Sequence, residues 1–288
     1  MQVHSFLHSD TETYTHVLAD VQQQVCAIID PVLDFDAKSG HTDTASVDEV
    51  IAFVREQGWT LVYIIETHAH ADHISAAIHV KDELGGKLVI GQYITEVQKI
   101  FKQMFNFDSS FRTDASQFDI LTNEGETLKL GGITITAMYV PGHTRADMAY
   151  LANDDEKTVV FVGDTLFAPD VGTARCDFPG GDAKTLYQSI QKLLALPDET
   201  IIYLCHDYPS QGRKHCPTTT VAAQKLGNIH VKEGINEAEF VEMRERRDAT
   251  LEMPRLIIPS VQLNIDAGHF PEPEDNGTRY LKVPLNAL

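Results

Sequence analysis

The stretch 66-ETHAHADHISA-76 places His68, His70, Asp72 and His73 within six residues. Imidazole nitrogens and carboxylate oxygens are the donors that zinc, iron and manganese accept. A tight loop can aim the i and i+2 imidazoles at one ion and swing Asp72 and His73 toward an adjacent position. This spacing predicts a metal centre. Three later segments supply more donors of the same kind. They are His143 in 140-VPGHT-144, Asp164 in 161-FVGDTLF-167 and His206 in 203-YLCHDY-208. A lone histidine or aspartate is more often structural; four such segments in order are a stronger signal.

Each donor cluster follows a strand-like run, where α/β proteins gather functional groups. The β-branched and aromatic run 61-LVYIIET-67 predicts a core strand leading into the first cluster. Before it, 25-VCAIID-30 reads as a buried strand and 46-SVDEVIAFVREQG-58 as a helix. Ser46 and Glu49 have capping-box spacing, and Val47, Val50, Ile51 and Val54 form one apolar stripe. A helix-like piece follows at 74–86. A second half begins near 127-TLKLGGITITAMYV-140, two strand signals around Gly131-Gly132. It continues with strands at 157–164 and 200–207 and a helix at 182–196. We expect a catalytic domain over 1–230. The remainder, 231–288, is expected to hold one helix, 236–253, and a Pro-rich extended arm packed on the domain or on a partner subunit.

The chain has 288 residues, 43% of them apolar, enough for a substantial core without staples. Its formal net charge of −19 argues against nucleic acid as a partner. No apolar run approaches the ~18 residues that span a bilayer, and no membrane association is expected. Lys38 is the first basic residue, so the start lacks the basic region of an export signal. The four cysteines form no CxxC pair, which predicts reduced thiols in the cytoplasm.

The ordered set H-x-H-x-D-H, PGHT, GDTLF and CHDY resembles the metallo-β-lactamase superfamily over residues 10–230. The resemblance implies an α/β fold, a four-layer αβ/βα sandwich of two similar halves with the metal site at their shared rim. By the family pattern His68, His70 and His143 form one metal position, Asp72, His73 and His206 the other, and Asp164 bridges them. Within the superfamily, Arg175-Cys176-Asp177-Phe178 is similar to the Arg-Thr-Asp-Phe of persulfide dioxygenases of the ethylmalonic-encephalopathy protein type. The tail after 229 resembles their short C-terminus rather than the helical domain of glyoxalase II. Residues 266–288 resemble a bacterial β-lactamase-like hydrolase branch.

That branch implies one Fe(II) held by His68, His143 and Asp164. Two histidines and a carboxylate leave open positions where substrate sulfur and O₂ can meet. Zinc lacks the redox change this needs. His70, Asp72, His73 and His206 would then orient ligands. The alternative is that they hold a second ion, giving two Zn in a hydrolase of thioesters or lactones. The implied substrate is glutathione persulfide, with O₂ as co-substrate. Arg175 is the first candidate to grip its carboxylates, followed by Arg145 and Arg213. Asp177 is placed to hold Arg175 or to meet the substrate. Tyr208 is the candidate catalytic hydrogen-bond donor. The tail offers a surface for a homodimer.

Overall fold

The computed structural model describes residues 1–209 and 212–286; the last two residues of the predicted arm lie outside this range. The first half runs β1 (Gln2–His8), β2 (Thr13–Asp20), β3 (Val25–Ile29), β4 (Val32–Asp36), β5 (His41–Asp43) and α1 (Ala45–Gln57). It continues with β6 (Thr60–Ile65), β7 (Ile74–Ser75), α2 (Ala77–Leu84), β8 (Lys87–Gly91), α3 (Ile94–Met104) and β9 (Ile120–Thr122). The second half runs β10 (Thr127–Leu130), β11 (Ile133–Tyr139), β12 (Met148–Asn153), β13 (Thr158–Phe161) and α4 (Ala183–Leu194). It ends with β14 (Ile201–Tyr203), β15 (Thr218–Thr220) and α5 (Val221–Gly227); α6 (Glu237–Asp248) and α7 (Ile257–Asn264) follow.

Strand order in one sheet is β1-β2-β3-β6-β8-β9 and in the other β10-β11-β12-β13-β14-β15. Alternation in β3 shows how the layers arise. Ala27 and Ile29 enter a core shared with Leu130, Ile135, Tyr150 and Phe161 of the facing sheet. Cys26 and Ile28 point the other way, toward Val47, Val50, Ile51 and Val54 of α1. Each aliphatic side chain so buried contributes roughly 1.5–3 kcal/mol. A third core lies outside the second sheet, under Leu186 and Ile190 of α4 and Phe240 of α6. The result is the expected four-layer αβ/βα sandwich.

Two expectations need correction. Ser46 does not cap α1: the helix starts at Ala45, and Ser46 instead gives both its backbone N–H and its hydroxyl to Asp34 of β4, at 2.9 and 2.5 Å. A capping hydroxyl accepts a backbone N–H; the Ser46 hydroxyl instead donates to a carboxylate, a charge-assisted and stronger bond. The segment after 254 is not all extended, because Ile257–Asn264 forms α7. Pro259 falls in its first turn, where a missing N–H costs nothing, and Ile257, Val261 and Leu263 are buried. The two C-terminal helices serve different halves. Helix α6 packs on α4, and α7 returns to β7 beside the first donor cluster.

All four cysteines are unpaired, and only Cys216 is exposed. Among the described residues no helix is long and apolar enough to cross a membrane.

Candidate metal centre

Four strand ends deliver the donors. β6 runs into the 66–73 loop, β11 into His143, β13 into Asp164 and β14 into His206. Backbone bonds tie the two halves at this rim. The Met148 N–H donates to the Thr67 carbonyl at 3.0 Å, and the Tyr14 N–H to that of Cys205 at 2.7 Å. Two glycines are obligatory here. Gly142 (φ +142°) sits so close to α4 that a Cβ would lie 2.4 Å from the Leu186 nitrogen. Gly163 (φ +52°) turns the chain into Asp164, and its Cβ would lie 2.8 Å from the Thr67 hydroxyl.

The predicted donors converge. Ligand atoms of His68, His143 and Asp164 lie within 4.8 Å of one another, and those of His70, Asp72 and His73 do likewise. His143 Nε2 is 3.6 Å and His68 Nε2 4.0 Å from Asp164 Oδ2. His206 Nε2 stands 3.2 Å from both Asp72 Oδ2 and Asp164 Oδ1. His68, His70, His73, His143 and His206 are all buried. Yet Nε2 of His68, His73 and His206, Nδ1 of His70 and Oδ1 of Asp164 have no hydrogen-bond partner among the described residues. Buried polar atoms are rarely left so. Five such atoms, spread over adjoining groups of donors, fit a metal centre.

The other ring nitrogens are held from behind, which fixes the direction of each imidazole. His68 Nδ1 meets the Thr67 hydroxyl at 3.1 Å and His206 Nδ1 that of Thr13 at 3.1 Å. His143 Nδ1 lies 2.7 Å from the Arg175 carbonyl, to which it donates. His70 Nε2 sits between Asp30 at 3.1 Å and Glu66 at 3.2 Å. Asp30 also accepts from the Thr67 N–H at 2.8 Å. Its left-handed backbone (φ +50°) is one that aspartate tolerates better than most residues.

Charge follows from these pairings. Burial, then the neighbouring His70, push the His68 and His73 imidazoles down, His73 to about 4. Burial also disfavours charge on His206, but Asp72 and Asp164 overcome it and raise the group to about 9. Against burial, Asp30 and Glu66 raise His70 well above the ordinary imidazole value. His206 likewise leads in holding Asp72 and Asp164 low in spite of burial. Asp72 and Asp164 thus stand ionised beside the free nitrogens of these donor groups.

A pocket of about 200 Å³ opens onto this point. Its lining includes Asp72, His143, Asp164, Tyr208, the aromatic rings of Phe167 and Phe178, and Arg175, Arg244 and Arg247. Tyr208 stacks on His206 at 5.6 Å. Arg175 is committed to a two-pronged ion pair with Asp177, at 2.6 and 2.7 Å, and to the Glu252 carbonyl at 2.6 Å. Asp177 therefore faces Arg175 and is not among the pocket's lining residues. Arg145 is exposed and also outside the lining, and Arg213 is clamped between Asp207 and Asp170. Cys176 is no free nucleophile: burial first, then Asp248, push its thiol up to about 12.

Sequence reasoning missed Asp30, Thr13, Arg244, Arg247 and Asn264. Asp30 left a signal, a buried strand ending in Asp-Pro. Thr13 left none, because it reaches His206 across 193 residues.

Fold and site together define a metal-binding αβ/βα sandwich. The chain belongs to the metallo-β-lactamase superfamily, whose model matches residues 20–206. Proteins of this superfamily are generally metal-binding enzymes, hydrolases or dioxygenases. A probable metallo-hydrolase of Burkholderia pseudomallei is 51% identical over the whole of both chains. The mouse mitochondrial persulfide dioxygenase ETHE1 is 31% identical over 68% of this chain and 64% of its own. The crystal structure of ETHE1 from Myxococcus xanthus superposes with a TM-score of 0.74 at 30% identity, covering 93% of this chain and all of that one.

Proposed function

We propose that the protein is an iron-dependent persulfide dioxygenase. It would convert glutathione persulfide and O₂, with water, into sulfite and glutathione. One observation carries the reading: the loop with the Arg-x-Asp-Phe pattern is part of the site. Its Arg175 carbonyl holds His143 Nδ1, and its Phe178 ring stands edge-on to His143 at 5.3 Å. The likeness to persulfide dioxygenases supports the same branch.

His68, His143 and Asp164 would hold one Fe(II), which supplies the redox change and the open positions for sulfur and O₂. The chain's own contribution is placement. Thr67 and the Arg175 carbonyl hold one nitrogen of each imidazole, which turns the other toward the metal position. Phe167 and Phe178 keep the approach apolar, which suits a sulfur atom and limits water. Arg247, exposed and lining the pocket, would present positive charge to the carboxylates of glutathione in a chain of net charge −19, whereas Arg175, paired with Asp177, would shape the wall beside it. Tyr208, which also lines the pocket, would offer its hydroxyl to the reacting group. The unpaired thiols suit a reducing, cytoplasmic setting.

A dinuclear zinc hydrolase of thioesters or lactones is the second reading. It is favoured by the intact second group, His70, Asp72, His73 and His206, and by the relative named a probable metallo-hydrolase. Metal counting separates the two. Protein loaded anaerobically should retain one iron per chain. Two tightly held zinc ions per chain, together with turnover of S-lactoylglutathione, would overturn the dioxygenase.

A further inference from the structure

The loop between β6 and β7 carries four of the seven donors but makes few backbone bonds of its own. It lies buried, where unpaired carbonyls are costly. Its partner comes from the far end of the chain. Asn264, the last residue of α7 and 5% exposed, donates through Nδ2 to the His70 and His73 carbonyls, both at 2.8 Å. Its Oδ1 accepts from the Ser75 N–H at 2.9 Å. One amide thus clamps both ends of the His70–His73 segment and the strand that follows. The helix is seated firmly enough to serve. Ile257, Val261, Leu263 and Ile265 share a core with Ala69, Ala71 and Ile74 of the loop itself. The Ile265 carbonyl accepts from Gln98 Nε2 at 2.9 Å. Gly268 approaches so closely that a Cβ would lie 3.0 Å from the Ser75 carbonyl.

Helix α6 does the same for the loop that carries Arg175. Asp248 accepts from the Cys176 N–H at 2.9 Å, and buried Arg244 donates to the Thr173 carbonyl at 3.1 Å. These bonds hold the loop whose Arg175 carbonyl fixes His143. The C-terminal segment therefore braces the donor loops of both halves.

We propose that Asn264 is a positioning residue for the metal centre, so that the C-terminal segment sets how tightly the ion is held. Fixing the two carbonyls fixes the backbone from which His70, Asp72 and His73 project. Supporting partners of this kind typically contribute about 10–100-fold in metal affinity. His68 lies two residues before the clamped His70 carbonyl on the same loop. The brace therefore bears on a one-ion set of His68, His143 and Asp164 as well as on a second set of His70, Asp72 and His73, and the proposal is tested separately from the choice between dioxygenase and hydrolase.

The test is Zn(II) affinity of the full-length, metal-stripped protein, read by competition with a chelator of known strength. Thermal unfolding of the same metal-free samples reports the fold. Asn264→Ala should weaken zinc by about 10–100-fold. Gln262→Ala removes bonds to Ile258 and Lys282 on the same helix without touching the donor loop. It should leave affinity within about twofold, well below the loss such partners cause. Should the alanine variant not fold, the smaller change Asn264→Ser reads the same quantity. Parental zinc affinity in a folded Asn264 variant, even one with a lowered melting temperature, would reduce the residue to a structural role and overturn the proposal. An equal loss in Gln262→Ala would also overturn it, by making the effect a general loosening of the helix.

Discussion

Asp164→Ala is expected to abolish iron retention and persulfide-dependent O₂ uptake together. Asp164 places one oxygen toward each side of the centre. Its Oδ2 faces His68 and His143, and its Oδ1 stands 3.2 Å from His206. Burial opposes its charge, yet the imidazoles of His206, His68 and His143 keep it ionised. Alanine leaves the His68 and His143 rings without the carboxylate that faces both, and His206 with Asp72 alone as its anion. The loss should exceed the ~100-fold at the upper end for a supporting partner, because the donor itself is gone. Iron content by elemental analysis and O₂ uptake on the same sample check this. Full iron occupancy in the variant would remove Asp164 from the ligand set.

Asp30→Ala should produce the largest loss of stability. The carboxylate is 2% exposed and holds the Thr67 N–H, the Thr67 hydroxyl and His70 Nε2 at once. Removing one partner of a buried, charge-paired group costs on the order of 3–5 kcal/mol. For a chain of this size that lowers the melting temperature by roughly 10 °C. The pH dependence has a definite sign. Against the desolvation that would raise it, His70 pulls the Asp30 carboxyl down to about 2 from an ordinary 3.8. Its stabilisation is therefore present above about pH 4 and is lost as pH falls toward 2. Asp30→Asn should flatten that acid limb while keeping the residue's shape. Calorimetry across this range checks both. A melting point within about 2 °C of the parent, under 1 kcal/mol for a chain this size, would mean that Thr67 and His70 find other partners.

The difference between the two variants mirrors what a sequence exposes. The donors were legible because their chemistry demands rare residues at short spacing on strand ends, and the layers because alternation and the α1 stripe encode two buried faces. The supports were not. Thr13 and Asn264 are ordinary residues that gain their roles only when strands and helices nearly 200 residues apart meet. Ser46 looked like a helix cap because nothing local announces Asp34 beside it. The 254–277 stretch looked extended because prolines were weighed without their position in the turn; α7 forms where its apolar residues find the first core. Arg175 was found as the loop's distinctive cation, but its engagement with Asp177 and Glu252 shows only in three dimensions.

The measurement closest to the central claim is oxygen consumption by anaerobically iron-loaded protein on addition of glutathione persulfide, with sulfite assayed in the same vessel. The account predicts uptake that starts with the persulfide, needs iron, and yields one sulfite per O₂ consumed. A flat oxygen trace from protein with full iron occupancy would contradict it and leave the zinc hydrolase as the reading to pursue.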